Sequence, residues 1–248
     1  AQRAGLISSL ASDADRLGFV SEPEAAALHC AKRAMVDLNV GMRFMVVDCA
    51  GGTVDVTAFE VLSNGEYKRL TTADGGPHGS IYVDQQFLKY LREKTSFDAI
   101  VKFQTVDPEG YVKLIEDWET IKCQYDPTRN TLPIWFEFPN RLQKLLETEY
   151  PDILQTLLDK QNDNQGLDIP QNDMLQFFEP SLKGIETAIQ GQFNQLEKDN
   201  PRCDYIFLVG DFSAAPILQE HIKAKFGNRV PDIIVPENPG GAIVKGAV

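Results

Sequence analysis

One short stretch of the chain combines two acids, two glycines and a hydroxyl: Asp48, Gly51, Gly52, Thr53 and Asp55. Glycines at a strand end let the backbone approach a phosphate closely, because they carry no Cβ atom. Carboxylates repel a bare phosphate, but they suit a magnesium ion, which keeps most of its waters and bridges acids to phosphate oxygens. The stretch therefore predicts a site for a phosphate with bound magnesium. The alternative is an ordinary hairpin with a Gly-Gly turn.

Two apolar segments must position these residues. Residues 44–48 form a nearly continuous apolar run that ends on Asp48, and residues 54–61 alternate as in a half-buried strand, so together they predict a β-hairpin. A second strand, of the buried kind found in parallel sheets, covers residues 205–209 and runs into Gly210. Two strand-end glycine turns that face each other across a cleft indicate a nucleotide site at the carboxyl ends of strands.

The bulk composition narrows the class of protein. The 248 residues are 43% hydrophobic and 24% charged, as in a globular protein with a full core. The formal net charge of -12 argues against a nucleic-acid partner, which would need a basic face. No apolar run approaches the roughly 20 residues of a membrane helix, so we expect no membrane partner. The four cysteines lie far apart without metal-ligand spacing, which predicts reduced thiols in a cytoplasmic protein.

Strand patterns alternate with helix patterns along the rest of the chain, which predicts the α/β class. Helices are expected at residues 1–17, 24–38, 80–94, 108–124, 141–159, 172–196 and 216–226. Further strands are expected at residues 19–21, 66–72, 132–138 and 233–235. A polar turn is expected at residues 162–166, and a closing helix opens at the Pro-Gly-Gly of residues 239–241.

Four more polar residues have spacings that permit either chemistry or an ordinary structural role. Glu22 stands at a strand-to-helix junction, where the helix dipole alone favours an acid. Glu119 and Lys122 lie one helical turn apart, which is usual for a solvated ion pair. His78 lies among glycines with no acid at fixed spacing, so a structural role is favoured over a ligand or a base.

The order of these motifs resembles that of the seventy-kilodalton heat-shock chaperones of the actin-like ATPase superfamily. The family's second phosphate motif is matched by VVDCAGGTVDVT, and its connecting motif by SEPEAAAL just upstream. Its adenosine motif is matched by FLVGDFSAAPILQEHIKAKFG, its closing helix by VPENPGGAIVKGAV, and the start of its second lobe's outer subdomain by GGPHGSIYVDQQF. The resemblance covers nearly the whole chain and is greatest to the divergent twelfth branch, because of the Pro-Gly and Lys-Gly-Ala-Val ending.

The resemblance implies catalytic roles for three acids. Asp48 would order magnesium-bound water near the γ-phosphate, and Asp55 would support the metal's water shell or polarise the attacking water. Glu22 would do similar work from the first lobe. Asp48 and Asp55 would thus hold magnesium through water. Such positioning is most of the mechanism of phosphoryl hydrolysis, which needs little covalent chemistry from the protein.

The resemblance also implies contacts to ATP or ADP from six residues: Gly51, Gly52, Thr53, Glu119, Lys122 and Gly210. The two glycines of the turn would wrap the phosphate with their backbone, and the threonine would hydrogen-bond to it. The Glu-Lys pair falls where the family contacts ribose and adenine, and the third glycine would back the adenosine.

The fold that the resemblance implies is a lobe of the actin-like ATPase (ribonuclease H-like) fold with an inserted outer α+β subdomain. Residues 1–41 would be a remnant of the first lobe with the connecting motif. Residues 42–78 and 177–248 would form the inner subdomain of the second lobe, and residues 79–176 the outer subdomain. The family's opening phosphate motif does not occur in the chain, so we expect a fragment that is catalytically inactive by itself and binds ATP, ADP and Mg²⁺ weakly.

Three positions depart from the family pattern, and they keep a second function open. Ala50 replaces a glycine of the phosphate turn, Asp211 replaces the second glycine of the adenosine pair, and Ala214 lies where the family has an arginine that stacks on adenine. Retained site residues favour an ATP-binding, chaperone-like domain of a stress-response protein, with client proteins or co-chaperones as partners. The substitutions favour a non-catalytic protein-interaction module on the same fold.

Overall fold

The computed structural model of the protein describes residues 18–34, 36–197 and 202–248. The α-helices are α1 (Glu22–Ala34), α2 (Ile81–Lys94), α3 (Phe97–Val106), α4 (Pro108–Gln124), α5 (Asn140–Glu149), α6 (Pro151–Gln161), α7 (Gln171–Leu196), α8 (Pro216–Phe226) and α9 (Ala242–Gly246). The strands are β1 (Arg43–Cys49), β2 (Val54–Val61), β3 (Tyr67–Arg69), β4 (Asp74–Gly76), β5 (Ile134–Glu137), β6 (Gly166–Ile169), β7 (Tyr205–Val209) and β8 (Asp232–Ile234). Two 3-10 turns cover Asp211–Ala214 and Pro239–Gly241.

The main sheet is mixed and has β1 at its centre. Its strand order is β3-β2-β1-β7-β8, and β4 also pairs with β2. The β1–β2 pair is antiparallel, whereas β1–β7 and β7–β8 are parallel. The predicted hairpin and the predicted α/β class are therefore confirmed. The sequence predicted that the two glycine turns face each other across a cleft, and this is wrong. The turns lie side by side, because β1 and β7 are neighbours in the sheet.

Helices cover both faces of this sheet. Alternate residues of β1 point in opposite directions: Met45 and Val47 pack into the core on the α7 side, and Phe44 and Val46 into the core on the α1 side. The predicted half-buried character of β2 is wrong, because most of its residues are buried and its two faces also belong to the two cores. The end of the sheet at which Asp48 lies is therefore supported by a buried core on each face.

A second, two-stranded sheet (β5–β6) and helices α2 to α6 lie between β4 and α7 in the sequence. Their core contains stacked aromatic rings, with the Phe87 and Trp118 centroids 3.9 Å apart. Phe136 and Phe177 complete the cluster edge-on, and Phe177 brings in the long helix α7. The division into inner and outer subdomains at residues 78–79 and 176–177 stays a prediction.

Two predicted elements are wrong. Residues 19–21 are irregular rather than a strand, and Phe19 is 92% exposed, because the main sheet ends at other strands in the described part of the chain. The single helix predicted over residues 141–159 is two helices, α5 and α6, because Tyr150 leaves the helical conformation and Pro151, which lacks an N–H, begins a new helix. The helix predicted at residues 1–17 lies outside the described residues.

Three elements were not anticipated, namely α3, β4 and β6. Ser96 begins α3 by accepting a hydrogen bond from the Ala99 N–H, and β4 is only three residues long.

The four cysteines are free thiols, as predicted. In the part of the chain that the structure describes, no helix has the length and apolar character needed to span a membrane.

Candidate functional site

Asp48 is the second-last residue of β1 and the centre of the candidate site. It pairs in register with Asp55 on β2 and with Val209 on β7, so the side chains of Asp48 and Asp55 lie on the same face of the sheet. The Oδ1 atom of Asp48 is buried and has no hydrogen-bond partner among the described residues. A buried carboxylate oxygen without a donor is costly, so this oxygen marks a place for a cation or for a hydrogen-bond donor.

Burial, and after it the negative charges of Glu22, Asp55 and Asp211 in that order, together raise the pKa of Asp48 to about 6. We name these four residues the acidic edge. Glu22 begins α1, and Asp211 begins the 3-10 turn after β7, so the four acids come from four separate segments. Repulsion between carboxylates that the chain brings together is typical of a site that binds a cation.

Asp211 is a member of the acidic edge that the sequence identified only as a departure from a family pattern. Its side chain is exposed and lies against the backbone of Gly240, where a Cβ atom on Gly240 would clash with the Asp211 carboxylate. The 3-10 turn Asp211–Ala214 therefore packs closely on the 3-10 turn Pro239–Gly241. No local sequence signal places it there, because only the parallel pairing of β1 and β7 puts the residues after both strands at one end of the sheet.

Residues 50–53 form the glycine turn between β1 and β2. The Ala50 N–H donates to the Thr53 carbonyl at 3.0 Å, which closes the turn. A Cβ atom built on Gly51 or Gly52 would meet no atom of the described residues within 4 Å, and neither glycine has a positive φ. Neither packing nor backbone conformation therefore requires glycine at these positions, whereas close approach of a ligand would.

The start of α2 holds the glycine turn in place. The Ser80 N–H donates to the Ala50 carbonyl at 3.3 Å, and the Ile81 N–H donates to the Gly51 carbonyl at 3.0 Å. Gly79 allows this contact, because a Cβ atom there would clash with the carbonyls of Ala50 and Gly51. With both carbonyls turned toward α2, the conformation of the turn depends on the position of that helix.

Gly210 joins β7 to the acidic edge. Its φ is +87° and its ψ 156°, a conformation that only glycine adopts readily, and a Cβ atom would clash with Asp48 and the Cys49 carbonyl. Its N–H donates to the Pro239 carbonyl at 3.1 Å. The close contact of Gly210 with Asp48 is consistent with the prediction that Gly210 lies at the site.

Glu119 and Lys122 lie on α4 and are paired, but they do not form a solvated ion pair. The Lys122 side chain is only 3% exposed, and its Nζ lies 2.8 Å from Asp84 Oδ1 and 2.6 Å from Glu119 Oε2. The Trp118 Nε1–H donates to the same Asp84 oxygen at 2.8 Å. We name Asp84, Trp118, Glu119 and Lys122 the α4 ion cluster. Asp84, on α2, was missed in the sequence because a whole helix, α3, separates α2 from α4 along the chain.

A magnesium ion at the acidic edge would be held through water. Within the described ranges, no group of three His, Cys, Asp or Glu side chains is close enough to bind a metal ion directly. Asp48 and Asp55 nonetheless lie opposite each other on one face of the sheet, close enough for the charge of Asp55 to raise the pKa of Asp48. Magnesium retains several waters and needs only one or two carboxylates, so these residues fit a hydrated magnesium ion that arrives with a phosphate.

His78 has the structural role that the sequence favoured. Its ring packs beside Gly184 of α7, where a Cβ atom would clash with the ring, and within 3.2 Å of where a Cβ atom on Gly76 would lie. The ring therefore fills the space between the β4 backbone and α7.

Comparison with known proteins gives the same family as the motifs. The chain is 33% identical to human heat shock 70 kDa protein 12A over 220 residues and 31% identical to human heat shock 70 kDa protein 12B over 219 residues. It is 24% identical over 235 residues to chaperone protein DnaK 3 of a Synechococcus strain. No protein-family model matches the chain.

These alignments cover most of this chain but only part of each relative. They include 86% of the chain for the two human proteins and 93% for the DnaK protein, and in each case 32% of the relative. The chain thus spans about a third of the length of the curated relatives it matches. Identity is higher for the 12A and 12B proteins than for the DnaK protein, in line with the predicted branch. The chain belongs to the heat shock 70 kDa protein family.

Proposed function

We propose that the chain is the second-lobe part of an ATP-binding, chaperone-like nucleotide-binding domain with the actin-like, ribonuclease H-like lobe fold. The observation that carries the proposal is the glycine turn at the end of β1. Gly51 and Gly52, in the turn that follows Asp48, leave open space among the described residues where side chains would be, and the buried Oδ1 of Asp48 has no partner among those residues. A phosphate with bound magnesium supplies what both features lack, a group that approaches the backbone and a cation that faces the acid.

The residues divide the work by position. Asp48 and Asp55 hold the water shell of the magnesium ion, and Glu22 orients water from the start of α1. The backbone of the glycine turn surrounds the phosphate, and the exposed hydroxyl of Thr53 donates to it. Magnesium supplies charge neutralisation when bound, which the four carboxylates of the acidic edge require before a polyphosphate can approach them.

The nucleoside end of ATP or ADP lies toward Gly210 and α4 in this proposal. Gly210 backs the adenosine, and the Glu119–Lys122 pair provides the ribose side, with Glu119 as its exposed member. Client proteins or co-chaperones would be partners of the longer protein, since DnaK 3 is itself named a chaperone protein. A cytoplasmic location and a role in the stress response belong to the same proposal. We expect the chain alone to bind nucleotide no tighter than about millimolar and to hydrolyse none, because half of the contacts of a two-lobed site are missing.

A calorimetric titration with ADP and Mg²⁺ tests the proposal. We expect saturable binding that chelation of Mg²⁺ abolishes and that Asp48→Asn weakens at least about tenfold. The matched control is Glu66→Gln, which removes one negative charge from an exposed loop residue away from the site and leaves the binding unchanged. Equal affinity of the wild-type chain and Asp48→Asn for ADP would contradict the proposal.

A second candidate function is a non-catalytic protein-interaction module. The observation that favours it is Asp211, whose carboxylate adds a fourth negative charge to the acidic edge. Ala50 and Ala214 also depart from the family pattern. If the chain and its natural full-length protein both fail to bind ADP saturably at millimolar concentrations, while Asp211→Gly restores no binding, the interaction module replaces the nucleotide site.

A further inference from the structure

The α4 ion cluster has a property that the nucleotide proposal leaves unexplained. A lysine that contacts a ligand needs free donors and access, whereas the Lys122 side chain is 3% exposed and its ammonium lies between two carboxylates. Glu119, in contrast, has a side chain that is 50% exposed. The exposed member of the pair is therefore the acid, and the lysine lies behind it.

Asp84 is the internal anchor of this cluster. One of its oxygens accepts hydrogen bonds from both Lys122 Nζ and Trp118 Nε1, each at 2.8 Å. Trp118 is fully buried and stacks on Phe87, which lies one turn after Asp84 on α2. Two bonds to one carboxylate and one stacked ring pair therefore join α4 to α2 at the same level. Because Trp118 and Phe87 are completely buried, α2 and α4 cannot shift relative to each other without breaking this contact.

The same helix α2 also holds the glycine turn at residues 50–53 in place. Its first backbone N–H groups, of Ser80 and Ile81, bind the carbonyls of Ala50 and Gly51. Asp84 follows Ser80 by one helical turn. A continuous set of contacts thus runs from Glu119 through Lys122 and Asp84 to the start of α2 and into the glycine turn.

We propose that Asp84 is a positioning residue, which acts through Lys122 to fix Glu119 on α4 at a set distance from the glycine turn at residues 50–53. Lys122 is then a buried structural cation and Glu119 the group on α4 that meets the hydroxyl groups of a ligand's sugar. This inference rests on the proposed nucleotide site for its ligand, but the coupling between the two helices exists without one.

Hydrogen exchange of single amides in the ligand-free chain tests the coupling. We expect Asp84→Asn and Lys122→Met to speed exchange at the Ser80 and Ile81 amides by about tenfold, the effect of losing one charge-assisted hydrogen bond. The matched control is Lys113→Met, which breaks an exposed ion pair of α4 with Asp117 and leaves these amides unchanged. Unchanged exchange in the first two variants, or equal acceleration in the control, would overturn the proposal.

Asp84→Asn keeps the acceptor for Trp118 and Lys122 and removes only the charge, so it serves if Lys122→Met does not fold. Lys122→Arg keeps the charge and is expected to restore protection at Ser80 and Ile81 to within about threefold of wild type. Rescue by arginine distinguishes a charge-based link between helices from a general loss of packing. Failure of the rescue with a folded protein would contradict the role of the buried cation.

Titrations with ADP and with pyrophosphate test the assignment of the ligand contact. We expect Glu119→Gln to weaken ADP about tenfold and to leave pyrophosphate unchanged, whereas Asp84→Asn weakens both, because it disturbs α4 and the glycine turn together. Loss of ADP affinity alone in Lys122→Met, with normal exchange at Ser80 and Ile81, would make Lys122 a direct contact and overturn the proposal. If the wild-type chain binds neither compound, the nucleotide proposal fails while the exchange experiment still decides the coupling.

Discussion

The acidic edge and the α4 ion cluster are both groups of charged residues, yet they are built in opposite ways. At the edge, the negative charges of three other carboxylates act on Asp48, no ion pair within the described residues neutralises these four acids, and an oxygen of Asp48 has no partner there. In the cluster, one lysine lies between two carboxylates, and an indole N–H supplies a further donor. The first group is incomplete as it stands, and the second is complete.

This difference distinguishes a group of charges that binds a ligand from a group that stabilises the fold. An incomplete set of charges is unfavourable to the fold and is retained where a ligand completes it. A complete, buried set mainly fixes geometry, and breaking it leaves an uncompensated charge. Removal of a charged group should therefore have opposite effects on stability in the two regions, and the predictions below are ordered by the size of the expected effect.

The largest loss of stability is expected for Lys122→Met. Asp84 would remain as a partly buried carboxylate without its cation, which lowers the free energy of unfolding by about 4 kcal/mol. Lys113→Met, on the exposed face of the same helix, should lower it by less than about 0.5 kcal/mol. Denaturant titration at neutral pH measures both values. Equal losses in the two variants would show that the cluster is no more than a surface ion pair.

Gly210→Ala should come next, with a loss of about 3 kcal/mol. The substitution places a Cβ atom against Asp48 and the Cys49 carbonyl in a backbone conformation that favours glycine. Gly65 is the matched control, because its φ is +81° but a Cβ atom there would meet no atom within 4 Å in the described part of the chain. Gly65→Ala should lose only about 1 kcal/mol. A Gly210→Ala protein as stable as Gly65→Ala would mean that Asp48 and β7 are not in close contact.

Asp48→Asn should stabilise the protein at pH 7.5, by about 1 kcal/mol after allowance for solvent around a half-buried group. The pKa of Asp48 is raised to about 6 in the folded protein, so the folded state holds this proton more tightly than the unfolded chain does. Stability from Asp48 is therefore present below pH 4 and is lost as the pH rises through 6. Thermal unfolding of both proteins at pH 4 and pH 7.5 measures the difference, which should vanish at pH 4. A less stable Asp48→Asn at both values would contradict the unfavourable charge at the acidic edge.

The β1–β2 hairpin and the β7 strand could be predicted from the sequence because local signals determine them. Residues 54–61 and 205–209 match β2 and β7 to the residue, since an apolar run that ends at a glycine turn needs no distant partner to be recognised. The break at Pro151 was also a local signal, which the amphipathic pattern on either side of it concealed. β4 has two glycines and three residues in all, so only its pairing with β2 makes it a strand.

The candidate site was predictable only in part. Asp48, Asp55 and the glycine turn are close in sequence, and the hairpin brings them together. Asp211 joins them through the parallel pairing of β1 and β7, which no local pattern gives. Asp84 and Lys122 meet only when α2 packs against α4, and a lysine on a helix is usually solvated, so its burial could not be inferred from its spacing to Glu119.

Amide nuclear magnetic resonance of the isotope-labelled chain, titrated with ADP and Mg²⁺ to about ten times a millimolar dissociation constant, tests the central claim most directly. The account predicts saturable shifts of the Gly51, Gly52 and Thr53 amides, selective broadening of the same signals when Mn²⁺ replaces Mg²⁺, and loss of both effects in Asp48→Asn. Unmoved signals from the glycine turn at full ADP concentration, in a folded chain, would contradict the assignment of this edge of the sheet as a nucleotide-phosphate site.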